Sequence, residues 1–496
     1  MAASPPSSSL SPPSSPPPSW VLLNPSVDNH GLGIDPTQKG WEVVECRKDY
    51  CGAGKYGHMM AGCLELHVRR AADPLDLSEL AISANDEIVR YIIEGELSEQ
   101  APEDKSSFPC LREVDVDMME GPLSYVTGYV RMADENLIVL SVSFPFTDDQ
   151  YYLVYDAILQ SMSMIPHISS GPFCQGYSPS NPLPVRCGDM CTLVHFARNM
   201  EYDEEEGEYI YRDMLCLWPP PPSSKLPPPP LPNAYTCPSI EPWYFMEPCF
   251  PMEMTLVQFR HHVKFTSSSY AFWADLTQGV LCCCCSDIFG DNYSVDFSFI
   301  ELPPGCEYES CDTLDVSDIG PAEMFRTIGC TTGDSIKFIS ISFDDSVPET
   351  EKTVTEWMLD MATMQWTKVE ELSLGTLWEL EDFKKYGLPK TKPLYPLLRK
   401  GEEDDGALYF ILSNGWDDYA EHYMCRLDMR SKRLESTRLS SPQGFIGACQ
   451  LVGSEFFRYL QNECLEPAHG KGKMKFAGDP TAAEEGYTNK SEGCGE

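Results

Sequence analysis

The sequence predicts an all-β protein, a propeller-like stack of short antiparallel sheets, and three observations predict it. The regular segments are short, β-branched and aromatic, and turn residues bound them. Four of them end on an aspartate that an apolar residue follows six positions later. Helical periodicity is confined to few places.

In chain order, strand-like runs fall at 41–46, 124–130, 136–144, 335–343 and 407–412. The best helical stretch runs from Leu75 to Leu97, although Ile88-Val89-Arg90-Tyr91-Ile92-Ile93 within it reads equally as a strand. The four aspartate segments are Tyr152-Leu153-Val154-Tyr155-Asp156 with Met162, Ala271-Phe272-Trp273-Ala274-Asp275 with Leu281, Trp357-Met358-Leu359-Asp360 with Trp366, and Tyr423-Met424-Cys425-Arg426-Leu427-Asp428 with Leu434. An aspartate ending a strand accepts hydrogen bonds from the backbone of its own turn. Four or five residues then close the hairpin, and the next strand begins on an apolar anchor.

Units of this kind cannot bury a face alone and must stack, as propeller blades do. Asp156, Asp275, Asp360 and Asp428 are therefore expected at matching places in separate units, each at a strand end. Met162, Leu281, Trp366 and Leu434 are expected to start the next strand facing inward. Trp366, if fully buried, is then the costliest anchor to truncate. The aspartates lie 119, 85 and 68 residues apart, which leaves room for unmarked units. A pair of β-sandwiches is the alternative arrangement.

Composition narrows the function classes. The chain carries 36 Lys+Arg against 76 Asp+Glu, a net charge of −40, so phosphate backbones and anionic membranes are repelled. No basic stripe offsets that field, and no nucleic-acid or membrane partner is expected. No run of about 18 apolar residues is present to span a bilayer. Residues 1–19 hold seven prolines and eight serines but no apolar segment of the kind a secretory signal needs. The absence of acid before Asp28 fits a plastid transit peptide, and the absence of Lys or Arg before Lys39 opposes one. The expected compartment is therefore cytoplasm or nucleus, where the 21 cysteines serve as small buried hydrophobes.

The chain divides into a disordered Pro/Ser arm at 1–19, a body at 20–465 and a flexible Gly/Lys/Glu/Ala-rich tail at 466–496. Residues 219–232, nine of them proline, interrupt the body as polyproline II. The acidic stretch 201–208 before them reads as a solvated loop tip.

Three stretches carry a family resemblance: Trp20-Val21-Leu22-Leu23 after the Pro/Ser leader, Tyr270-Ala271-Phe272-Trp273-Ala274-Asp275-Leu276-Thr277-Gln278-Gly279-Val280-Leu281, and Gly406-Ala407-Leu408-Tyr409-Phe410-Ile411-Leu412 with Leu427-Asp428-Met429-Arg430-Ser431-Lys432-Arg433-Leu434. Together they resemble the grass-expanded plant family that carries the domain of unknown function 1618, over roughly residues 20–455. The resemblance implies a propeller-like body similar to F-box-associated domains, with no assigned activity, cofactor or catalytic residue. The proline run falls where a blade strand would be expected, which puts one blade in question. No F-box helix set precedes the body, so an adaptor role does not carry over.

Candidate chemistry is sparse. Gly52, Gly54 and Gly57 match a GxGxxG loop, yet the residues from His58 to Val68 alternate as readily as a strand and no βαβ train follows. Cys282-Cys283-Cys284-Cys285 invites a zinc reading, but consecutive strand residues point to opposite faces and cannot converge on one ion. The run reads as a buried strand. Cys187 with Cys191, and His261-His262, lack partner ligands at metal spacing. No nucleophile elbow, HExxH or Walker A loop occurs.

The expected function is thus a non-catalytic protein-interaction scaffold without cofactor or metal. Its partner is an unknown protein, with an aromatic-groove reader of the stretch from Pro227 to Pro232 as one candidate. The alternative is an enzyme or small-ligand binder that uses a propeller's central channel or the 52–57 loop. A deep pocket of converging polar groups favours the alternative; a broad rim of exposed aromatics favours the scaffold.

Overall fold

A computed structural model describes residues 21–23, 26–29, 40–50, 57–85, 126–144, 150–167, 181–203, 208–219, 243–251, 259–306, 322–398, 406–439 and 452–454, with short gaps inside these spans. The arm at 1–19, the tail at 466–496, residues 52–56 and residues 220–232 lie outside the described residues.

Six small sheets stand in a ring as the blades of a propeller. Blade 1 runs from the axis outward as β28 (Val452–Ser454), β1 (Val21–Leu23), β6 (Leu77–Ala84), β5 (Leu64–Arg69) and β3 (Glu42–Val43). The strand nearest the C-terminus thus pairs antiparallel with the one nearest the N-terminus, Val21 opposite Ser454, and closes the ring. Blade 2 is β7 (Thr127–Asp134), β8 (Leu137–Ser143), β9 (Gln150–Asp156) and β10 (Ser161–Pro166). A bridging strand, β2 (Ser26–Asn29), pairs with both β6 and β7 and joins the first two blades. Blade 3 is β11 (Leu183–Cys187), β12 (Met190–Asp203), β13 (Glu208–Trp218) and β14 (Tyr244–Cys249).

The remaining blades are four-stranded meanders. Blade 4 is β15 (Val263–Thr266), β16 (Tyr270–Asp275), β17 (Gly279–Cys284) and β19 (Ser298–Glu301). Blade 5 is β20 (Arg326–Cys330), β21 (Ile336–Ile341), β22 (Thr353–Asp360) and β23 (Gln365–Ser373). Blade 6 is β24 (Leu394–Leu398), β25 (Leu408–Ser413), β26 (His422–Asp428) and β27 (Arg433–Arg438). Two further strands act as latches between neighbours. From the blade 1 stretch of chain, β4 (Arg47–Tyr50) lies parallel along β10 of blade 2; from that of blade 4, β18 (Ser294–Asp296) lies parallel along β14 of blade 3.

The period-2 alternation of strands explains why the blades stack. In β16, Ala271 and Trp273 point toward blade 3, whereas Phe272 and Ala274 point toward blade 5. In β9, Leu153 and Tyr155 face blade 1, and Tyr152 and Val154 face blade 3. In β25, Leu408, Phe410 and Leu412 face blade 5, and Tyr409 and Ile411 face blade 1. Each of the six interfaces thus holds one apolar cluster. Strands buried on both sides read as continuous apolar runs, which is why these segments stood out.

The cysteine run obeys the same rule. Cys283 packs toward blade 3 and Cys282 toward blade 5. Cys285 departs from the strand reading, because it opens the short helix α2 (Cys285–Ile288). Helix α1 (Gly57–Cys63) likewise replaces the first half of the alternating strand expected from His58 to Val68. The helix expected from Leu75 is instead β6 as far as Ala84; its faces pack toward both neighbouring blades, Leu80 and Ile82 on one side and Leu77 on the other, and burial on both faces mimics helical spacing. The loop tip expected at 201–208 is narrower, since β12 continues to Asp203 and β13 begins at Glu208. Blade 3 is complete, and the proline-rich segment joins β13 to β14 rather than replacing a strand. Helices α3 (Leu374–Glu379) and α4 (Glu381–Tyr386) connect blades 5 and 6.

All four aspartates end strands. Each accepts the backbone N–H two residues on, at 2.8–2.9 Å: Asp156 from Ile158, Asp275 from Thr277, Asp360 from Ala362 and Asp428 from Arg430. The residue four positions on has positive φ in every case, Gln160 at 47°, Gly279 at 156°, Met364 at 55° and Lys432 at 59°. Asp156, Asp360 and Asp428 close the turn between the third and fourth strands of their blades. Asp275 differs: it closes the second-to-third turn, with its hairpin pairing Asp275 to Gly279 rather than to the fifth residue on. The tighter register needs the glycine, since a Cβ at 279 would lie 2.6 Å from the Ile300 carbonyl oxygen.

Met162, Leu281 and Leu434 are buried. Trp366 is only half-buried, because β23 is the outermost strand of its blade. Its indole meets Phe338 edge-on at 5.9 Å and donates to the Glu301 carbonyl at 2.8 Å, which ties blade 5 to blade 4. Among the described tryptophans Trp273 is fully buried, edge-on to Phe196 and Phe297 at 5.2 and 5.6 Å.

Candidate functional site

The innermost strands of the six blades are β28, β7, β11, β15, β20 and β24. They enclose a cavity of about 190 Å³ on the axis, whose wall takes residues from every blade. It is lined by Arg131 to Ala133 of blade 2, Asn181 before β11, His261 to Lys264 of blade 4, Glu323, Arg326 and Thr327 of blade 5, Tyr395 to Leu397 of blade 6, and Val452 and Gly453 of blade 1.

Two irregular strands shape this wall. The β7–β8 register slips between Val130 and Met132, so Arg131 is the extra residue of a bulge. The β24–β25 register slips between Leu394 and Leu397, and Tyr395 there holds φ at 53°. Bulges break the strict in-out alternation and re-aim side chains, and both of these re-aim them at the cavity.

Arg131 donates from Nε to Ser141 Oγ at 2.7 Å and lies over the Tyr129 ring at 5.5 Å. Lys264 donates to the Asn181 backbone oxygen. Burial, reinforced by the Arg131 guanidinium, holds the Lys264 ammonium well below the usual lysine range. Arg326 is buried, donates from Nη1 to the Leu276 carbonyl at 2.7 Å and lies over Phe343 at 5.5 Å.

The histidine pair sits beside them. His261 stacks on Phe196 at 4.9 Å with 10° between the rings. Burial, then Lys264, pushes its pKa well below the ordinary value. His262 Nδ1 accepts the Leu276 N–H at 3.1 Å, which places the neutral ring's proton on Nε2, 4.0 Å from Glu323 Oε1. Asp275, one of the turn aspartates, is fully buried behind this pair, 3.4 Å from His262 Nδ1. Burial alone would raise its pKa, but the adjacent His262 ring and hydrogen bonds from the Arg260 N–H and Thr277 outweigh that and keep it below the usual range.

Of the residues singled out in the sequence, the axis gathers His261, His262 and Asp275. It does not gather Asp156, Asp360, Asp428, their anchors or the cysteine run. Gly57 begins α1, away from the axis strands. Arg131, Lys264, Glu323 and Arg326 carry no local motif, and the one sequence signal of the three cations is a base inside a strand of a strongly acidic chain.

Residues 273–409 match the family described as "Protein of unknown function (DUF1618)". That stretch of the chain is similar to the DUF1618 family. Within the propeller the matched stretch spans blade 4 from β16, all of blade 5, and blade 6 as far as β25. It therefore supplies Asp275, Glu323, Arg326 and Tyr395 to the site, while Arg131 and Lys264 lie outside the matched span. No curated protein matches the chain. Among solved structures, the chain is similar to a Bombyx mori GH32 beta-fructofuranosidase at 11% identity and a TM-score of 0.28, covering 64% of this chain and 63%, under two thirds, of that one. It is also similar to a subtype N11 neuraminidase-like protein of A/flat-faced bat/Peru at 10% identity and a TM-score of 0.28, covering 84% of this chain and 92% of that one.

Proposed function

We propose that this protein is a non-catalytic recognition module that takes a small ligand at the mouth of its central channel. One observation carries the reading: a cavity on the axis, walled by all six blades, into which two bulged strands turn their side chains. Concave sites with a few convergent polar groups are where proteins hold small molecules. The large exposed apolar residues among those described, Val43, Tyr129, Ile158, Tyr293, Met358 and Tyr386, are spread over four blades and the α4 connector. Scattered residues of that kind are ordinary surface, so the channel outranks the outer faces as the place of recognition. Free, mostly buried cysteines such as Cys63, Cys216, Cys283 and Cys425 support a reducing compartment, cytoplasm or nucleus.

The test is a thermal-shift screen of a mixed small-molecule library on the whole protein and on Ala133→Trp, which fills the cavity. Hits on the wild type that vanish in the filled variant support the reading. Hits that survive filling, or a screen without hits, overturn it.

A further inference from the structure

Most of the bases described inside this acidic chain face a carboxylate. Arg186 pairs with Asp134, Lys337 with Glu356 at 2.7 Å, Lys352 with Glu349, and Arg69 with Glu79. Arg131 and Lys264 do not: the partners of their head groups are a serine hydroxyl, a tyrosine face and a backbone carbonyl, all neutral. Among the described residues of the cavity wall, the one acid, Glu323, faces His262. With Arg326 the described wall thus carries three arginine and lysine side chains to one carboxylate. This arrangement stands in a protein of net charge −40, where 76 acids were at hand to neutralise it.

Two cations that converge in a partly enclosed space repel each other, and each loses hydration there. The burial and the Arg131 charge that depress Lys264 are the local expression of that cost. An uncompensated pair of this kind is relieved by one thing above all, an anion between the two groups. The chemistry of the pair fits that role. A guanidinium offers a planar fork of donors to two oxygens at once, and an ammonium adds a point charge from another direction. The bulge at Arg131 supplies the means, because a regular β7 would alternate that side chain differently.

We infer that the channel mouth binds a small organic oxyanion, a carboxylate or phosphate group seated between Arg131 and Lys264. This names the ligand class for the channel reading and rests on it. The surrounding acidic field works against anions at long range, so selection falls to the wall itself, and screening salt strengthens rather than abolishes approach.

The experiment is isothermal titration of the whole protein with succinate, with inorganic phosphate and with the neutral isostere succinamide, at matched ionic strength. Saturable binding of succinate or phosphate, at least tenfold tighter than succinamide, is expected, and the tighter of the two names the head group. Arg131→Met and Lys264→Met should each weaken it at least tenfold, while the exposed-surface control Lys384→Met leaves it unchanged. Circular dichroism checks the fold, and if Arg131→Met does not fold, Lys264→Met alone decides. Equal affinity for succinate and succinamide, or anion binding that survives Lys264→Met, overturns the inference. A neutral library ligand that Ala133→Trp displaces, with no anion binding, sinks the anion assignment and leaves the channel reading standing. Failure of both arms removes both.

Discussion

Asp275→Ala should destabilise the protein far more than the same change at Asp428, although the two aspartates share a turn motif. Asp275 is fully buried and its carboxylate accepts four hydrogen bonds. They come from the Arg260 N–H at 2.6 Å, the Thr277 N–H at 2.8 Å, the Thr277 hydroxyl at 2.6 Å and Gln278 Nε2 at 2.9 Å. A hydrogen bond to a charged group is worth about 1.5–3 kcal/mol net, and a donor stranded away from water costs a similar amount. The two side-chain donors can turn elsewhere, whereas the two backbone donors cannot. Removing the carboxylate also removes its own desolvation cost, so the net loss is about 3–5 kcal/mol.

At Asp428 the donors are the N–H groups of Arg430 and Ser431 and the Ser431 hydroxyl, on an accessible turn. Water replaces most of that loss, which leaves about 0.5–1 kcal/mol. Urea denaturation followed by tryptophan fluorescence reads both variants as midpoint shifts at constant slope. A pH series adds a second readout. Because the folded-state pKa of Asp275 is depressed, its contribution is present above the unfolded value near 3.8 and is lost as pH falls through the lower, folded value. The alanine variant should lack that acid limb. Equal midpoint shifts for the two aspartates would refute the reasoning, since burial is what separates them.

Three further outcomes are expected. His167 packs against Tyr152 at 4.6 Å, and burial, then Arg131, lowers its pKa to about 4. Its neutral form is the folded form, so stability should fall as pH drops from about 6.5 toward 4, by up to about 3 kcal/mol. His167→Gln should flatten that slope in urea titrations, and parallel slopes for variant and wild type would count against it. Trp273→Ala should cost about 3–5 kcal/mol and more than Trp366→Ala, whose ring is half-exposed; calorimetry that reverses the order defeats the packing argument. Burial, then Cys284, pushes the Cys282 thiol up to about 12, and Cys283 is also raised, whereas Cys249 is exposed. Iodoacetamide at pH 8 should therefore label Cys249 in the native protein and Cys282 and Cys283 after unfolding, as peptide mapping would show.

The fold was legible wherever one strand held its own evidence. The runs at 136–144, 335–343 and 407–412 became β8, β21 and β25 because their side chains fill two interfaces at once. The aspartate turns were legible because the cause is local, a carboxylate bonding to its own backbone. Their placement within the blade was not, since Asp275 and Asp428 share the same spacing on different strand pairs. The spacing records a hairpin and says nothing about its position from the axis. Trp366 misled for a related reason: an anchor's depth depends on how far out its strand lies, which follows from the order of the whole sheet. The latches β4 and β18 left no trace, being short, mostly polar segments, Arg47-Lys48-Asp49-Tyr50 and Ser294-Val295-Asp296, in which Val295 is the one residue of an interface cluster.

The channel lay further still from what a sequence window can report. Arg131 and Lys264 are 133 positions apart, and neither has a neighbour in sequence that marks it. What brings them together is the closure of the ring, which turns six separate first strands into one wall. His261-His262 shows the same limit from the other side. Read locally it is a pair without metal partners, and on the axis it joins Asp275 and Glu323 from two other elements. A repeat protein can write its stacking rule into every unit, because each unit must satisfy it. Its axis belongs to no unit, so the residues there are free of the repeat, and departures from it, such as a bulged arginine or a tyrosine at positive φ, are the marks by which such a site is found.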